Sequence, residues 1–262
     1  GGFMAFDLDQ ASSWTAIFAI IGGVVTVVGV LGFFLIKDPA LPKMEEGYFS
    51  TVIHGFRPST IKANAALYLS LIAFILFNIS IQIFMPYLII YMKTFLGFSV
   101  LEYSIVFGAA IILGAAVNLY LTRLSDRKNK NTMLYFASAI FAAGLFGMYF
   151  AKGMGKMATL VTFGAAGFVM IAGYILISAL CGSLVRDYTP EGVVGKLQGV
   201  RMVFSVLIPM IAGPMIGNAI NAHMNIPLPD PGSVDVMTTQ YIPAPEIFLV
   251  AAIFLLISFA PF

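Results

Sequence analysis

The sequence predicts an all-α membrane protein with seven transmembrane helices, and three observations carry that prediction. First, 60% of the 262 residues are apolar and 10% are charged, with a mean hydropathy of +0.97. A soluble domain cannot hide that share of apolar side chains, whereas lipid can. Second, long apolar runs occupy 14–36, 65–92, 101–122, 132–151, 157–185, 202–220 and 245–262. Each approaches or exceeds the roughly 20 residues that a helix needs to cross a bilayer. Third, the basic residues are lopsided. If the connections alternate sides, one side receives Lys37, Lys43, Arg57, Lys62, Arg123, Arg127, Lys128, Lys130, Arg186, Lys196 and Arg201. The other receives only Lys93, Lys152 and Lys156 of the 14 Lys and Arg residues. That asymmetry is the positive-inside pattern. It puts the first residues outside and the first long loop in the cytoplasm. The 12 acidic residues divide evenly between the two sides, so the bias belongs to Lys and Arg alone.

In chain order, residues 1–13 read as an outer segment carrying Asp7 and Asp9, and Trp14 sits where an interfacial aromatic is expected. The first run is rich in glycine (Gly22, Gly23, Gly29, Gly32), which permits close helix contact. A polar loop follows at 37–63, with Pro39 and Pro42 near its start and Pro58 near its end as breaks in helical continuity. Six runs then come with short connections, except for an outer loop at 221–244 kept irregular by Pro227, Pro229, Pro231 and Pro243. The organisation is one helix (1–36), a cytoplasmic linker (37–63) and a six-helix bundle (64–262). This is the layout of the second half of a 6+6 protein. The chain is therefore expected to be part of a longer one, with an N-terminal half as its partner.

Three segments carry motifs. Thr122-Arg123-Leu124-Ser125-Asp126-Arg127-Lys128-Asn129-Lys130 joins the third and fourth runs. It resembles the Gly-x-Leu-Ala-Asp-Arg-x-Gly-Arg-Arg loop of the major facilitator superfamily. Leu124, Asp126 and Arg127 match and Lys130 stands at a basic position, while Thr122 and Asn129 replace the two glycines. Asn tolerates left-handed backbone, so a tight turn at 129 remains open. The stretch Arg186 to Arg201 includes Thr189-Pro190-Glu191, a helix-start pattern, and Gly195 and Gly199 at a spacing that allows close packing. It resembles the Arg…Pro…(Arg/Lys)-x-x-Gly loop between the tenth and eleventh helices of that superfamily. Pro209 and Pro214 flank Gly213 inside the sixth run, so this helix is expected to bend or loosen. Asp126, Arg127, Arg186, Arg201, Pro209, Gly213 and Pro214 are the candidate loop and gating residues.

For substrate contact the candidates are Asn78 and Gln82, four apart on one helical face near mid-membrane, with Tyr87, Asn118 and Tyr174 in second rank. A buried amide in a bilayer needs a partner: another helix, water or a solute. The resemblance implies that the helix bearing Asn78 and Gln82 lines a central cavity. It implies a permease of a cell membrane, and the stretches Leu76–Tyr91 and Arg186–Gly217 resemble sugar-type permeases of the bacterial inner membrane, sugar:cation symporters among them. Such a protein moves a small polar solute, such as a sugar, by alternating access, with H+ or Na+ as candidate co-transported ion. Drug or metabolite efflux within the same superfamily and a seven-helix receptor are the alternatives. No carboxylate lies at depth, and Glu102 and Glu246 begin their runs at the outer interface. Two His and one Cys are too few for a dense metal site. No paired carboxylates, nucleophile or phosphate-cradling loop points to an enzyme, none to a cofactor, and no basic stripe to nucleic acid.

Overall fold

A computed structural model describes residues 11–35, 56–125, 129–189, 194–226 and 241–259. Those residues are almost wholly helical. They fall into two compact units, Gly1–Gly47 and Tyr48–Phe262. The first holds α1 (Ala11–Leu35), an uninterrupted helix of 25 residues. Its Thr26 hydroxyl donates back to the Gly22 carbonyl at 2.8 Å, so this polar group is satisfied within the helix, as lipid requires.

The second unit begins with α2 (Pro58–Ala63) and α3 (Ala65–Phe95). It continues with α4 (Val100–Ser125), α5 (Lys130–Phe150) and α6 (Lys156–Asp187). Helix α7 runs without a break through Val194–Met202, Val203–Leu207 and Ile208–Met224, and α8 spans Glu246–Phe259. Among the described residues six helices, α1 and α3 to α7, are long and apolar enough to cross a membrane. The seventh predicted span is represented by α8, whose 14 residues rise about 21 Å against a hydrocarbon core of roughly 30 Å. The rest of that predicted run, 260–262, lies outside the described residues.

Small residues decide how the helices pair. The most extensive pairing is α5 with α6. A Cβ built on Gly144 would stand 2.4 Å from the Met170 nitrogen, and one on Gly173 would stand 2.5 Å from the Phe141 nitrogen. Each glycine admits the other helix's backbone, the small-residue contact by which helices associate in lipid. On another face of α6, α4 makes contact through Val106 at Gly164, Gly114 at Ile171 and Asn118 at Ala172. The rest of α4 turns Ile105, Ile112, Leu119 and Tyr120 outward, the arrangement of a helix at the edge of a bundle in lipid. Helix α3 is central, flanked by α7 and α8. Its Phe77 lies within ring-contact distance of Phe141, Tyr174 and Phe259, which ties α3 to α5, α6 and α8.

Prolines shape α3 and α7. Pro86 sits in a 3₁₀ turn, Met85–Tyr87, and α3 ends in a π-helical turn, Tyr91–Phe95. The turn Val203–Leu207 is also π-helical and lies just before Pro209. A proline ring clashes with the carbonyl four residues back, and a widened turn moves that carbonyl away. The loosening expected of this helix is therefore placed before Pro209, while Pro214 is held inside a regular stretch. Pro58 does not break a helix as expected but starts one, at a position where its missing N–H is no loss. The break comes at Asn64 instead, with φ −123° and ψ 41°.

Candidate functional site

Asn78 and Gln82 stand near the middle of α3, both half-buried. The Asn78 amide nitrogen donates to the Phe74 carbonyl of its own helix at 2.8 Å, which satisfies one of its two N–H groups. Gln82 lies where α3 crosses α7. A Cβ on Gly213 would fall 2.2 Å from the Gln82 Cβ, so only glycine lets the two helices approach this closely. One turn on, the Tyr87 hydroxyl donates to the Pro214 carbonyl at 2.9 Å, and a Cβ on Gly217 would fall 2.6 Å from the Tyr87 ring. The Gly213–Gly217 surface of α7 is thus a groove that receives α3 from Gln82 to Tyr87. Tyr174 of α6 stacks on Phe77 beside Asn78, with ring centroids 6.0 Å apart. Four of the candidates, Gln82, Tyr87, Gly213 and Pro214, meet at one helix crossing, and Asn78 is one turn below it.

The remaining candidates lie elsewhere. Asn118 is buried between α4 and α6 and donates to the Ala172 carbonyl at 2.8 Å, while its side-chain oxygen has no hydrogen-bond partner among the described residues. Arg186, in the last turn of α6, is exposed, and Arg201 of α7 is half-buried. Pro209 is buried. Asp126 and Arg127 lie outside the described residues. Asn129 is not left-handed: its φ of −62° and ψ of 127° are extended, and its side chain caps α5 by accepting from the Asn131 N–H at 3.0 Å. Gly199 does not serve close packing either, since nothing lies within 4 Å of a Cβ built there. The Thr189 hydroxyl donates back to the Val185 carbonyl at 2.6 Å, and the expected helix start at Pro190 lies outside the described residues.

Several polar contacts escape a sequence reading. Ser80 donates to the Ala251 carbonyl at 2.7 Å and joins α3 to α8, although serine in an apolar run gives no hint of its partner. The Asn221 side-chain oxygen accepts from the Ala244 N–H at 2.9 Å, which ties the end of α7 to the start of α8. Lys130 bonds Asp187 and, at 2.8 Å, the Ser183 hydroxyl, so the start of α5 is fastened to the end of α6. At the opposite end Lys156 pairs with Glu102 at 3.0 Å and Lys152 with Glu246 at 3.6 Å. Glu102 also accepts from the Ser99 N–H while the Ser99 hydroxyl accepts from the Glu102 N–H, a reciprocal cap at the start of α4. Ser99 three residues before Glu102 was a readable signal for that cap. Among the described residues no three His, Cys, Asp or Glu side chains gather as a metal site would require.

A glycine-mediated bundle with amides at mid-depth is the setting in which the comparison with known families is decisive. The sequence profile of the Major Facilitator Superfamily matches residues 1–214. The chain belongs to the major facilitator superfamily. It is a multi-pass membrane transporter of that superfamily, whose members carry small solutes across the bilayer. The superfamily match takes in α1 and extends to Pro214 in α7. No curated relative and no solved structure matches the chain.

Proposed function

We propose that this superfamily member moves a small polar solute, a sugar or similarly hydroxyl-rich molecule, by alternating access. The observation that supports the reading is the pair Asn78 and Gln82: two half-buried amides, one turn apart, midway along α3 and beside its crossing with α7. Amides donate and accept hydrogen bonds, which suits hydroxyl groups. The second support is α7 itself. Its π turn at 203–207 and Pro209 give the helix packed against α3 a place to flex, as interrupted helices do in secondary transporters. In this reading the six-helix bundle rocks against a companion half, with the densely basic end of the bundle in the cytoplasm. Asn118 and Tyr174 then serve packing rather than binding, since one bonds α6 and the other stacks on Phe77.

The test is uptake of labelled monosaccharides, disaccharides and uronic acids into proteoliposomes that contain the full transporter, with and without H+ or Na+ gradients. Asn78→Ala and Gln82→Ala should each lower uptake tenfold or more, the order expected when a buried hydrogen bond to solute is lost. Uptake unchanged in both variants removes these amides from the solute path. Competition by hydrophobic cations but not by sugars would instead favour the efflux alternative.

A further inference from the structure

Where the basic residues concentrate, α3, α6 and α7 enclose a crevice of about 80 Å³. Its polar lining is Arg186, Thr189, Gln198 and Arg201. Its apolar lining, or floor, is Leu67, Leu71, Val185 and Leu197, which belong to a small apolar cluster separate from the main core. A single water needs only about 10–15 Å³ of such space, so the crevice has room for a group several waters in size.

Both arginines line this crevice. The Arg201 Nη2 lies 3.9 Å from the point where a Cβ on Gly182 would sit, and Gly182 is four residues before Arg186. Among the described residues neither arginine is ion-paired. Asp187, the neighbouring acid, is already engaged by Lys130, and Glu191 lies outside the described residues. The Thr189 hydroxyl hydrogen is spent on Val185. The crevice therefore presents two positive forks over an apolar floor, with its neighbouring described carboxylate neutralised.

We propose that this crevice binds a phosphate-bearing anion, with the headgroup of an anionic phospholipid as the source its shape favours. Guanidinium forks match phosphate oxygens in geometry and charge. The leucine and valine floor suits the glycerol and upper acyl carbons that accompany a lipid phosphate and that a free phosphate lacks. Basic pockets between transmembrane helices are the common setting for such headgroups. The site is separate from the amides on α3 and does not depend on which solute is carried.

The experiment uses the full transporter, purified and stripped of lipid in a neutral detergent. Affinity is measured for dihexanoyl phosphatidylglycerol, for phosphatidylcholine of the same chain length, and for inorganic phosphate. Phosphatidylglycerol should bind about tenfold more tightly than phosphatidylcholine, and Arg186→Gln or Arg201→Gln should each weaken it about tenfold, as expected for loss of one charge-assisted contact. Arg186→Lys and Arg201→Lys, which keep the charge but lose the fork, should weaken it less. Lys62→Gln removes a charge at the same end without lining the crevice and should change affinity less than twofold. Competition by inorganic phosphate supports phosphate as the recognised group, and inorganic phosphate binding as tightly as the lipid assigns the site to a soluble anion. The proposal is overturned if the two lipids bind alike, if both Gln variants bind phosphatidylglycerol like the wild type, or if Lys62→Gln costs as much as they do.

Discussion

Replacing Gly213 with alanine should push α3 and α7 apart at the candidate site. The added methyl would fall 2.2 Å from the Gln82 Cβ and 2.7 Å from the Gln82 carbonyl carbon. Carbon atoms settle at about 3.5–4.0 Å, so the contact must open by about 1.3–1.8 Å. Backbone atoms on one side of the contact leave no side-chain rotation to relieve it. Overpacking of this kind costs about 1–3 kcal/mol, against which alanine recovers up to about 1 kcal/mol of helix propensity over glycine. The net loss should be roughly 1–2 kcal/mol. Gly199→Ala, in the same helix, is the matched comparison. Nothing lies within 4 Å of its added methyl, so it should be neutral or stabilise by about 0.5–1 kcal/mol. Unfolding of the purified full transporter in mixed micelles measures both. With Gln82 on the solute path as proposed, uptake in proteoliposomes should fall about tenfold or more for Gly213→Ala, because an opening of more than about 1 Å displaces its amide. The reasoning is refuted if Gly213→Ala is as stable and active as the wild type, or if Gly199→Ala loses as much stability.

Other expectations follow from single contacts. Asn118→Leu removes the bond to Ala172, and interhelical bonds in membranes are worth about 0.6–1.7 kcal/mol, so stability should drop by that order while uptake persists. Uptake lost in a variant that remains stable would return Asn118 to the solute path. Lys130→Gln should cost no more than about 1 kcal/mol because its pair with Asp187 is 42% and 43% exposed, and the small effect should shrink further in high salt. Orientation can be read by cysteine labelling, since Cys181 is the chain's single cysteine and is buried. An impermeant maleimide added to whole cells should label Lys156→Cys and spare Lys62→Cys. The reverse pattern would invert the topology.

The apolar centres of the membrane helices were legible in the residues because a helix in lipid must satisfy its backbone internally and show apolar side chains around it. The run at 65–92 became Ala65–Phe95, and the run at 157–185 became Lys156–Asp187. The run at 202–220 was read short at both ends. Its helix begins at Val194, in turns bearing Lys196, Gln198 and Arg201, and continues to Met224 past Asn221. Polar residues at a helix end look like loop when hydropathy is the guide. The short helix after Pro58 was hidden for the same reason.

The sequence by itself determined the fold class and the few polar residues inside apolar runs, since each follows from what lipid tolerates along one helix. Tertiary structure alone decided what those residues touch. Asn78, Asn118 and Ser80 all read as polar groups in apolar runs, yet their bonds run to Phe74 in the same helix, to Ala172 in α6 and to Ala251 in α8. The glycines were equally mute: Gly213 admits a neighbouring backbone while Gly199 faces open space. Periodicity places a side chain on a face of its own helix. Which helix meets that face depends on contacts between residues far apart in the chain, and no local pattern encodes them.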